Sequence, residues 1–124
     1  MNNDNQLQLV TFEQAKRLKE FGFDLEVRKY YDSRANIFHT EGYFNHNNFG
    51  IYSVAAYSAP TVAHALKWFR GKKINADVRY DNGGWQGGYV RDKVLFGETD
   101  CFNTYEDAEI ALMDLLLTDF KPKR

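Results

Sequence analysis

The stretch Ile74-Asn75-Ala76-Asp77-Val78-Arg79-Tyr80 alternates apolar and polar residues without a break. Ile74, Ala76, Val78 and Tyr80 share one side of an extended chain and Asn75, Asp77 and Arg79 the other, the period-two pattern of a strand buried on one face. Beyond it lies Asp81-Asn82-Gly83-Gly84-Trp85-Gln86-Gly87-Gly88, and then Tyr89 to Phe96 returns with Val90, Val94 and Phe96 on one side. Asp92 interrupts that side, as an edge strand permits. These residues predict a β-hairpin over 74–96, with glycines supplying turn conformations and Trp85 held at the loop tip.

Immediately upstream, Ser58-Ala59-Pro60-Thr61 opens a helix running to about Arg70, with Val62, Ala65, Leu66 and Phe69 on one face and Gly71 as its stop. Farther upstream, Leu25 to Tyr31 reads as a strand, Asp32 to Asn36 as a turn and Asn36 to Thr40 as a returning strand. Residues 41–50 mix Asn and Gly with Tyr43, Phe44 and Phe49 and read as a loop of exposed aromatics, followed by a third strand over Ile51 to Tyr57. At the N-terminus, Thr11 and Gln14 have the spacing of a capping box, and a helix is predicted from Phe12 to Phe21 with Gly22 as its stop.

Downstream of the hairpin, Thr104 caps a helix that runs to about Asp119. Ala108, Ala111, Leu112, Leu115 and Leu116 form its core stripe, while Ile110, Met113 and Leu117 project on a second, roughly opposite face. A helix apolar nearly all round is covered on two sides by its own domain or by a partner. The order α-β-β-(β)-α-β-β-α predicts an α+β domain over 1–124. Its expected form is an antiparallel sheet of four to five strands with three helices packed mainly on one face. Residues 1–8 and 121–124 are expected to be mobile tails.

Composition narrows the function. The 124 residues carry a net charge of −1, so no global positive field draws the chain to phosphate backbones. A single cysteine, Cys101, excludes an internal disulfide. No apolar run approaches the roughly 18 residues of a membrane span, and Met1 to Gln8 lacks the layout of a secretory signal. The expected location is the cytoplasm, with no membrane partner.

No motif carries catalysis. His39, Glu41, His46 and Cys101 match no metal-ligand spacing, and the 83–88 glycines lack the strand-to-helix setting of a phosphate loop. No cofactor or metal is expected, and no enzymatic activity. The candidate protein contacts are Trp85, Tyr43, Phe44, Ile110, Met113 and Leu117, since aromatic and apolar anchors dominate interfaces. Arg79, Tyr89, Arg91 and Lys93, read as the outward face of the hairpin, form an alternative: a local surface for nucleic acid or nucleotide.

Three segments carry a resemblance: Thr-Phe-Glu-Gln-Ala-Lys-Arg-Leu-Lys-Glu-Phe-Gly-Phe at 11–23; Tyr-Ser-Ala-Pro-Thr at 57–61 with Ala65-Leu66-Lys67-Trp68-Phe69-Arg70; and Asn-Thr-Tyr-Glu-Asp-Ala at 103–108. In this order they resemble a family of small uncharacterised proteins commonly encoded by bacteriophages and mobile elements of gut anaerobic bacteria. The resemblance implies origin and brings no catalytic residues. The expectation is a phage-related or mobile-element accessory protein acting by protein binding, self-association included.

Overall fold

The computed structural model describes residues 8–48, 56–81, 83–91 and 95–120. Three helices and two three-stranded antiparallel sheets make up the described fold. In chain order they are α1 (Phe12–Phe21), β1 (Val27–Tyr31), β2 (Ile37–Phe44), β3 (Tyr57–Ser58), α2 (Val62–Gly71), β4 (Ile74–Asp81), β5 (Gly84–Arg91), β6 (Leu95–Phe102) and α3 (Tyr105–Asp119).

The α+β class is as expected, but the single sheet of four to five strands is replaced by two sheets, ordered β2-β1-β3 and β4-β5-β6. The chain divides at α2. β1 is already flanked on both edges by β2 and β3, so the strands after α2 build their own meander. The expected strand over 51–57 survives as Tyr57–Ser58, its earlier part lying outside the described residues.

The helix starts follow local capping chemistry. Thr11 accepts from the Gln14 N–H while the Gln14 side chain accepts from the Thr11 N–H, and α1 stops at Gly22 with φ 90°. Thr61 and Thr104 accept from the His64 and Asp107 N–H groups at 3.1 Å. Gly71 does not stop α2; it is the last helical residue, and the reversal falls to Lys73 at φ 70°. In the β1–β2 turn the Asp32 carboxylate accepts from the Arg34 and Asn36 N–H groups, both at 2.9 Å.

The 81–88 stretch is only briefly a loop. Asp81 pairs with Gly84, and Gly83 sits at φ 82°, so the β4–β5 ladder is already closed at Gly84. Gly84, Trp85, Gln86, Gly87 and Gly88 therefore belong to β5. A further strand, β6, follows over Leu95–Phe102 and pairs with β5.

α3 is the centre of the core. Its Leu112 meets β5 at Gly87, where a Cβ would lie 2.7 Å from Leu112 Cβ, so the missing side chain lets helix and sheet close together. Its other side faces α1: the buried Gln14 amide donates to Ile110 O (3.0 Å) and Asp114 Oδ1 (2.8 Å), and the Arg17 guanidinium donates to Leu117 O. Val10, Leu18, Val62, Phe69, Ile74 and Ala76 complete the same cluster.

Candidate protein-binding surface

The second apolar face of α3 is internal. Met113 and Leu117 are both 0% exposed and Ile110 is half-buried, because α1 is bonded across that side of the helix. The expectation of a partner contact is corrected for Met113 and Leu117, which this chain covers itself; Ile110 keeps partial exposure.

Trp85 is likewise not at a loop tip. It lies in β5 opposite Tyr80 and Phe102, half-buried, with its ring edge-on to Tyr80 (5.0 Å) and Tyr105 (5.4 Å). The Tyr105 hydroxyl donates to Glu109, a buried carboxyl on the next turn of α3. Burial, and secondarily the charge of Glu106, raises the Glu109 pKa, while the Tyr105 bond partly offsets the rise. Tyr43 and Phe44 end β2 and are exposed, at 62% and 43%.

The basic-aromatic set does not converge. Because Arg79 pairs with Gln86, its face is shared by Gln86, Gly88 and Val90, whereas Tyr89 and Arg91 point to the helix side. Tyr89 is buried and donates to Asp119 Oδ2 at 2.6 Å; burial, then the bond and charge of Asp119, pushes its hydroxyl up to about 12. Arg91 lies over the Phe120 ring at 5.5 Å. Lys93 lies outside the described residues. With Gly84 to Gly88 in the strand, not in a loop, the hairpin register differs by one residue from the sequence expectation, which moves every β5 side chain to the other face.

The histidines and cysteine are also apart. His46 is buried against Tyr30, its ring 4.7 Å away, and donates through Nε2 to Val27 O at 3.1 Å; burial lowers its pKa. His39 is exposed on β2 and Cys101 is exposed on β6, in different sheets. Among the described residues no three His, Cys, Asp or Glu side chains gather as a metal site. No helix among them is long and apolar enough to cross a membrane.

What sequence reading missed is the open face of β4-β5-β6. α2 and α3 pack on the other side, and the register lays out three cross-strand rows here: Arg79, Gln86 and Cys101; Asp77, Gly88 and Glu98; Asn75, Val90 and Phe96. Val90 is 44% and Phe96 72% exposed, as neighbours across the β5–β6 pair. Gly88 is central, and around it lies a trough of about 250 Å³ lined by Arg79, residues 86–90 and residues 96–98.

Gly88 is the informative residue. A Cβ there would meet only ordinary contacts, Gly97 O at 3.4 Å and Glu98 Cγ at 3.6 Å, and its φ is not in the left-handed region. By contrast, Gly87 is required by Leu112, and Gly97 by Tyr89, whose ring a Cβ would approach to 2.6 Å. Glycine inside a strand lowers stability by about 0.5–1 kcal/mol relative to alanine. No very close contact and no left-handed φ requires it here, although the β5–β6 register shifts between Gln86 and Gly88, and its effect is to leave a pit in the middle of an exposed face.

Comparison with protein-family models, with curated proteins and with solved structures finds no match to this chain.

Proposed function

We propose that this chain is a non-enzymatic protein-binding module of a phage or mobile element, acting in the host cytoplasm, and that its contact surface is the open face of β4-β5-β6. Gly88 carries this reading, as a strand glycine that no steric or dihedral constraint explains, lying beside two exposed apolar side chains. Interfaces form where an apolar anchor enters a pit and is ringed by polar groups, and the Phe96 and Val90 side chains with Arg79, Gln86 and Glu98 supply that mixture. The face is not basic: Arg79 is offset by Asp77 at 3.6 Å and Glu98 adds a negative charge, so a phosphate backbone would find little attraction.

The reading is tested by selecting peptides from a random displayed library against the intact chain and titrating one into the labelled protein by NMR. The expected outcome is amide shifts centred on Gly88, Val90 and Phe96, with binding lost in Phe96→Ala. Shifts centred on Tyr43 and Phe44 of β2, or no selected binder, would count against it.

A further inference from the structure

We infer that the occupant of the trough is an arginine side chain presented by a basic segment of the partner protein. This rests on the protein-binding reading above and names the chemistry that the site recognises. The trough lining carries the Glu98 carboxylate, the Gln86 amide and the Phe96 ring together with the Arg79 guanidinium, and with Asp77 beside Arg79 the charged side chains of this face sum to −1. The Glu98 carboxylate makes no ion pair or hydrogen bond among the described residues. Gln86 commits its amide nitrogen to Thr99 O at 2.7 Å, which leaves its amide oxygen as the acceptor. Arg79, the cation among the described lining residues, has its charge offset by Asp77 in an exposed ion pair at 3.6 Å.

A guanidinium matches that inventory: five N–H donors, no acceptor, permanent charge and a flat face. Gly88 leaves backbone on which a planar group can rest, flanked by β4 on one side and β6 on the other at strand spacings of roughly 5 Å. Phe96, 72% exposed, supplies an aromatic face for cation–π contact, and Glu98 supplies the counter-charge. A lysine would gain the charge contact but could not lie flat against the ring. An apolar side chain would use Phe96 and Val90 and leave Glu98 without a role.

The experiment titrates four blocked pentapeptides, identical except for Arg, Lys, Leu or Glu at the centre, into the intact chain and into Glu98→Gln by NMR. The arginine peptide is expected to shift the Gly88 and Glu98 amides, to bind more tightly than the other three and to lose about fivefold in affinity in Glu98→Gln, the upper range of one exposed ion pair. About 0.5 M salt should weaken it similarly. If the leucine peptide binds at Gly88 as well as the arginine peptide, or Glu98→Gln changes nothing, the arginine assignment is overturned while protein docking at this face stands. If no peptide moves Gly88, both fail.

Discussion

Gly87 and Gly88 are neighbours on opposite faces of β5, and only Gly87 is sterically required to be glycine: its absent Cβ is what lets Leu112 approach, while at Gly88 the nearest atom to a new Cβ is 3.4 Å away. The two substitutions to alanine should therefore diverge. Gly87→Ala is expected to destabilise by about 1–3 kcal/mol through overpacking against α3. Gly88→Ala should be neutral or stabilising by up to about 1 kcal/mol. Urea denaturation of both variants is the check; equal losses would show that Gly88 also has a packing role.

Charging the second stripe of α3 should unfold the chain rather than release a partner. Met113 and Leu117 are wholly enclosed, and an unpaired charge there would be neutralised or expelled only by opening the core. Leu117→Ala is expected to cost about 2–5 kcal/mol, and Leu117→Asp to abolish the cooperative thermal transition by circular dichroism. A folded Leu117→Asp variant with altered solution mass would restore the helix as a contact surface.

Gln14 should matter more than an ordinary cap. Its side chain accepts from Thr11 N and donates to Ile110 O and Asp114 Oδ1, so it closes α1 and joins it to α3. Gln14→Ala removes this donor from a part-buried α3 carbonyl and is expected to cost about 1–3 kcal/mol. Thr11→Ala should cost about 1 kcal/mol. Chemical denaturation of both gives the order.

Stability should fall at both ends of the pH range. His46 is buried, and desolvation lowers its pKa below the usual 6.5; the unfolded chain then binds the extra proton first, so stability is full above about 6.5 and declines as pH falls toward the folded value. Tyr89 has the opposite sign. Its hydroxyl is held up at about 12, so its contribution is complete below about 10, the unfolded tyrosine value, and is lost as pH rises through 12. Thermal melts across pH should lose the alkaline part in Tyr89→Phe and show a smaller slope near neutrality in His46→Gln, with His64, whose pKa burial also lowers, supplying the remainder.

The elements with local signatures were legible in the sequence: Thr11 with Gln14, Thr104 with Asp107, Gly22 as a stop, and the alternation of β4. What escaped depended on contacts distant in sequence. Gly87 reads as a loop residue and Gly97 carries no signal, because the side chains that require them, Leu112 and Tyr89, approach only after folding. With Gly83 to Gly88 read as loop, the β5 register is displaced by one residue, Tyr89 reads as facing solvent, and β6 goes unseen in a polar run that an edge strand tolerates. The doubly apolar α3 was recognised, but its covering by α1 runs through Gln14 and Arg17 of the first helix, beyond what periodicity reveals.

The central claim is that Gly88 is glycine to keep a docking pit open. The direct measurement is the affinity of a selected peptide for Gly88→Thr, made alongside its melting temperature. Threonine suits a strand and faces solvent here, so the account predicts an unchanged or raised melting temperature with peptide binding and its Gly88, Val90 and Phe96 shifts abolished. A folded Gly88→Thr that binds the peptide as the native chain does would contradict it.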